Sequence, residues 1–385
     1  VGAKAFWVVV GEVVGVTASW LLMSRRFKRL TDEYDSITIP DYLASRFRDE
    51  GHKLRVVAAG ALVIFVTIYV SAQIDATGKA FETFLGWDYF VGVGIGFVVV
   101  LAYIGAGGFL AVAWSDVFQG VLMFAGLVLL PIVGLVHLGG FGAMFDTLRE
   151  IDPALLALSG TETPTLMTYL SIVALALVGI GFLGSPQIFV RFIALKNENE
   201  INRGAAVAFV WTVMADSGAV LTGMIGRAML TEPGQDVEAV LGVAGESVLP
   251  MTVEALFPLF VVGIYVAIVL SAIMSTVDSL LVLAGSAAVR DVYQKVLHPE
   301  IPGSKLMSKS RQVTIGLALA ALVISVGVAL VSPDRTVYWF VIFGWSGISA
   351  TFCPVMILSL FWKGLTARGA LFAMITGFLC VPLFK

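Results

Sequence analysis

Of the 385 residues, 58% are apolar and 13% charged, and the mean hydropathy is +0.95, which excludes an ordinary water-soluble domain. The net charge of −3 supplies no basic field for nucleic acid. Cys353 and Cys380 fall inside apolar segments and His52, His137 and His298 lie far apart, so neither a disulfide framework nor a metal cluster is indicated.

A bilayer core is crossed by about 20 apolar residues in helical form. Ten stretches qualify: 5–24, 54–80, 89–110, 113–138, 166–190, 204–230, 252–287, 313–331, 337–362 and 367–384. They lack the two-residue alternation of membrane strands, so the expected fold class is all-α and polytopic. Basic residues gather in the loops after segments one, five, seven and nine, from Arg25 to Arg55, Arg191 to Arg203, Arg290 to Arg311 including Lys305, and at Lys363 and Arg368. Those loops are expected on the cytoplasmic side, and segment one enters from outside. Val1 is no initiator and Lys385 closes on an apolar helix, so further helices are expected on both sides of one membrane domain spanning 1–385.

Polar residues within the spans are where function is expected, because each needs a partner or water. Glu12, Asp75, Asp116 and Asp216 are acids inside spans whose central parts hold no basic residue, which makes cations or protons their expected partners. Asp116 also lies near a helix start, where the helix dipole alone favours a negative charge. In segment five, Gly179-Ile180-Gly181-Phe182-Leu183-Gly184-Ser185-Pro186-Gln187 predicts a break in helical hydrogen bonding, either as a site built from freed backbone groups or as a packing kink. In segment seven, Ser271, Ser275 and Asp278 follow i, i+4, i+7 spacing, and Ala272, Ser275, Thr276 and Ser279 form a second stripe. Such oxygens suit a hard monovalent cation. Hydroxyls in membrane helices also bond back to the i−4 carbonyl, and both readings stand on the pattern alone.

Several motifs agree in order and spacing with one family. Thr38-Ile39-Pro40-Asp41-Tyr42-Leu43, the run from Gly107-Gly108 to Asp116 with Gln119, Gly184-Ser185-Pro186-Gln187 followed by Arg191-Phe192, and 272–279 together resemble sodium/solute symporters. Phe65-Val66-Thr67-Ile68-Tyr69 and Gly107-Gly108-Phe109-Leu110-Ala111-Val112 look most like the sodium/proline branch. The resemblance implies a five-plus-five inverted repeat, of which the chain supplies core helices two to ten and part of an extra one, the first core helix being absent. It implies a sodium site at Ala272, Ser275 and Thr276, and a second one at Asp116, Asp278 and Ser279 together with Ser275. The proline branch has a hydroxyl residue where Asp278 stands. For the solute it implies Tyr69, Trp211, Ser185 and Gln187, although aromatic residues in spans also serve as packing.

The expected activity is therefore sodium-coupled symport of a small organic solute, with L-proline foremost, in the plasma membrane of a prokaryote. The expected partners are that solute, sodium ions and membrane lipid, with no nucleic acid. Pantothenate or another solute is the alternative cargo, and a transporter-like sensory domain of a signalling protein is the alternative class. No set of nucleophile, base and orienting group suggests an enzyme.

Overall fold

The computed structural model describes residues 2–106, 109–302 and 306–384. Val1, Gly107, Gly108, Lys305 and Lys385 lie outside the described residues, so the glycine pair of the motif is not placed. No strand occurs among the described residues, as the all-α expectation requires. Helix α1 (Gly2–Glu33) widens into a π turn at Ser19–Met23. Helix α2 (Ile39–Phe47) starts where the Thr38 side chain accepts from the Asp41 N–H at 3.1 Å, with Pro40 in the first turn where its missing N–H costs nothing. Helix α3 (Lys53–Leu85) stops at Gly86, whose φ of +65° suits a residue without Cβ. There follow α4 (Tyr89–Ala106), α5 (Phe109–Leu138) and the short α6 (Phe141–Ile151).

The expected break in segment five is present. Helix α7 (Leu166–Leu177) tightens into a 3-10 turn over Val178–Leu183, and α8 (Pro186–Ile193) resumes at the proline. A Cβ on Gly179 would stand 1.9 Å from the Gly11 carbonyl oxygen, so the glycines let the break press directly onto α1. Helix α9 (Glu200–Leu230) follows.

Segment seven differs from the expectation, for it is two helices: α10 (Val248–Leu256) and α11 (Leu259–Leu297). Pro258 forces Phe257 into an extended conformation, and because both flanks are apolar the hydropathy runs on through the corner. The chain closes with α12 (Leu306–Val331), α13 (Val337–Phe361) and α14 (Ala367–Phe384). Among the described residues nine helices are long and apolar enough to cross a bilayer, and α4 covers the expected third span as far as Ala106.

Helices equivalent under a five-plus-five repeat pack against each other: α1 with α9, α3 with α11, α4 with α12. The contact of α3 with α13 recurs as that of α11 with α5. A two-fold axis in the membrane plane produces both relations. At the centre, Leu62, Val66 and Val70 of α3 meet Leu281 and Ala284 of α11, Ala318 and Ala321 of α12, and Phe352 of α13, all buried. Outward faces carry exposed Val98, Val136, Val323 and Phe372, as lipid contact demands.

Buried charge ties the ends of the bundle. Arg55 at the start of α3 bonds Asp41 of α2 at 2.8 Å and Asp291 of α11 at 2.7 Å. Beside them the Tyr42 hydroxyl donates to Ser359 Oγ at 3.0 Å; burial pushes this phenol up to about 12, which keeps it neutral.

Candidate functional site

On α11 the Ser275 and Thr276 hydroxyls both donate to the Ala272 carbonyl, at 3.1 and 3.0 Å. Back-bonding and the expected cation ligands are thus the same three oxygens, gathered around one carbonyl. One turn on, Asp278 is 3% exposed; its Oδ1 accepts from the Ser279 N–H at 2.7 Å. Asp278 Oδ2 is closed off from solvent with no hydrogen-bond partner among the described residues, as is Asp116 Oδ1.

Two of the four span acids, Asp116 and Asp75, are paired with arginines where cations or protons were expected. Asp116 Oδ2 accepts from Arg191 Nη2 at 2.7 Å and from Ser279 Oγ at 3.1 Å. Asp75, fully buried, accepts from Tyr89 Oη at 2.6 Å and from Arg335 Nε at 2.9 Å, and Arg335 Nη2 reaches the same oxygen. Glu12 and Asp216 stand carboxyl to carboxyl across α1 and α9. Both arginines are anchored outside the central parts of the spans and reach the acids through long flexible stems, so the distance in sequence from the span centre concealed the pairing.

The expected solute residues are not all in one place. Trp211 lines a cavity of about 700 Å³ between α1, α8 and α9, with Glu12, Asp216 and Phe182 in the same wall, and its Nε1 points to the Gly120 carbonyl at 3.4 Å. Ser185 and Gln187 sit at the break beside this cavity rather than in its wall; Ser185 Oγ and Gln187 Oε1 are buried without a partner among the described residues. Tyr69, on α3, packs against Gly344 of α13. A second cavity, of about 350 Å³, lies at the end carrying the basic loops and is lined by Thr38, Asp116, Arg191, Ser279 and Arg290. Arg191, a loop charge and part of the family motif in the sequence but not among the expected site residues, therefore bonds two of them, Asp116 and Ser279. The signal that could have found it is its place four residues after Gln187, on the same face of α8; its Nη1 donates to the Gln187 carbonyl at 2.6 Å.

A break in one span, a hydroxyl cluster in another and an acid facing it from a third are set within a pseudo-two-fold helical bundle, and the comparisons agree with that architecture. The model of the sodium:solute symporter family matches residues 1–377. The chain belongs to this family. It is 35% identical over 378 residues to the high-affinity proline transporter PutP of Bacillus subtilis (strain 168), covering 98% of this chain and 76% of that protein. It is 30% identical over 389 residues to the sodium/proline symporter of Escherichia coli (strain K12), covering 100% of this chain and 74% of that one. A solved structure of a Na+-coupled sialic acid symporter, in a substrate-bound outward-open state, superposes with a TM-score of 0.72 over 100% of this chain and 85% of its own, at 17% identity, which establishes the shared fold. The symporter is a multi-pass protein of a prokaryotic plasma membrane, and its relatives are transporters by name.

Proposed function

We propose that residues 1–385 act as one membrane domain that carries L-proline together with sodium by alternating access. The observation that carries this reading is the oxygen cluster of Ala272, Ser275 and Thr276 in a chain similar throughout to proline symporters. Sodium is ligated by the Ala272 carbonyl and the two hydroxyls, which exchange their bond to that carbonyl for the ion. Hydroxyls and a carbonyl hold a monovalent cation without fixing a full negative charge, so release stays easy. A second sodium is held by Asp116, Asp278 and Ser279, of which Asp116 and Ser279 are in hydrogen-bond contact and the two carboxylates each keep a buried oxygen without a partner among the described residues. The proline ring and its charged amine are received by Trp211 and Tyr69, with Ser185 and Gln187 supplying polar groups at the break, where α8 begins and its N–H groups attract a carboxylate.

One sodium ion entering down 100 mV releases about 2.3 kcal/mol, enough to concentrate a neutral solute roughly 50-fold per ion. The test is uptake of labelled proline, pantothenate and sialic acid by proteoliposomes in sodium or choline. Proline uptake that needs sodium is expected; equal proline uptake in choline refutes the coupling, and sodium-dependent uptake of another of these solutes alone refutes the cargo.

A further inference from the structure

Among the described residues, Arg191 is the one common to the walls of the two cavities, the larger beside Trp211 and the smaller at the basic-loop end. Its guanidinium is fastened at three points: Nη2 to Asp116 Oδ2 at 2.7 Å, Nη2 to Ser279 Oγ at 2.9 Å, and Nη1 to the Gln187 carbonyl at 2.6 Å. Asp116 Oδ2 and Ser279 Oγ are themselves 3.1 Å apart and both face the same nitrogen. A metal cation ligated by these two oxygens would stand where Nη2 stands. Two positive groups cannot share that place, and a guanidinium cannot resolve the conflict by losing its proton. Room to leave exists, because the Arg191 side chain is 45% exposed while Asp116 is 19% exposed.

We propose that the Arg191 guanidinium is a tethered cation that competes with sodium for Asp116 and Ser279, and that while seated there it closes the passage between the two cavities. The proposal rests on reading Asp116, Asp278 and Ser279 as a sodium site, and it adds what that reading lacks, a moving part. Asp116 is neutralised in both states, by the ion or by Arg191, so the carboxylate is never left bare inside the bundle, where an unpaired charge is costly. Sodium binding at this site and opening of the passage become one event, because both need Arg191 to leave.

The test is sodium-dependent binding of labelled proline to the purified protein in lipid nanodiscs. Arg191→Gln keeps a hydrogen-bond donor toward Asp116 and removes the charge, so the sodium concentration at half-saturation should fall about fivefold, equivalent to ~1 kcal/mol for a partly exposed pair. In an Asp116→Asn background the same change should produce no fall. A cysteine placed at Ala208, in the wall of the larger cavity, should react faster with a polar reagent applied from the basic-loop side when Arg191→Gln is also present. Arg191→Lys, which keeps the charge but loses the planar fork, should give a smaller fall and serves if the Gln variant does not insert. An unchanged or raised sodium requirement in these variants, with normal sodium-dependent binding in the parent, overturns the competition alone. Absence of sodium-dependent proline binding in the parent overturns the underlying reading and the competition with it.

Discussion

At Asp75 the cost of a buried carboxylate is offset by three donors: Tyr89 Oη and two nitrogens of Arg335, whose guanidinium also lies 5.2 Å from the Tyr89 ring centroid. Lys79, one turn along α3, bonds Glu246 at 2.7 Å, and Glu246 in turn accepts from the Val337 N–H at the start of α13. These contacts fasten α3, α4 and the entry to α13. Asp75→Asn leaves Arg335 charged and nearly buried, and should cost about 3 kcal/mol, because removing one member of a buried pair is worse than removing both. Thermal unfolding in detergent measures this: Asp75→Asn should lower the midpoint clearly, and adding Arg335→Gln should restore part of the loss. An unchanged midpoint in the single variant would show that water, not the pair, satisfies Asp75.

Ser275 and Thr276 behave differently, because their hydroxyls bond only a carbonyl already serving its own helix. Ser275→Ala and Thr276→Ala should each cost ~1 kcal/mol or less in stability. Each should raise the sodium concentration at half-maximal proline uptake about tenfold, the equivalent of ~1.4 kcal/mol of lost ligation. Sodium titrations that superimpose on the parent would assign both hydroxyls to back-bonding alone.

Among the elements, α1 lies backbone to backbone against the break after α7. Gly179→Ala would drive a methyl group into the Gly11 backbone, which has no flexible end to move aside. We expect a loss of about 1–3 kcal/mol and weakened transport. Gly223→Ala on α9, where nothing stands within 4 Å of the added carbon, serves as the control and should be silent. Equal melting of the two variants would mean that the break yields without cost. The break was legible in the sequence because glycine and proline interrupt an apolar run, and the start of α2 because Thr38 and Pro40 form a local cap. The corner at Pro258 was not, since a proline between two apolar flanks leaves the hydropathy unchanged. Nor were the pairs of Asp116 with Arg191 and of Asp75 with Arg335, each of which joins residues far apart in the chain and depends on how the helices pack. Segment seven's hydroxyl stripe was visible by spacing, whereas its relation to α5 and α8 comes from the fold.

Across the whole molecule, buried charge sits at both ends and the oxygen-rich site lies between: Arg55 with Asp41 and Asp291 at one end, Asp75 with Arg335 at the other. A bundle fastened at both ends while it holds ion and solute is what alternating access requires, since each side must open in turn without the other. Trp211→Ala should raise the proline concentration at half-saturation under saturating sodium more than Trp211→Phe does, because the Phe ring retains the apolar face and the attraction for an amine. Equal transport by both would return Trp211 to a packing role.

Coupling is reciprocal: if sodium drives proline, proline must drive sodium. The most direct measurement is therefore the entry of radioactive sodium into proteoliposomes that start with equal sodium on both sides and an inward proline gradient, at clamped zero potential. The account predicts transient sodium accumulation that rises with the proline gradient and vanishes in the Ser275→Ala/Thr276→Ala double variant. Proline entry with no sodium accumulation would contradict it.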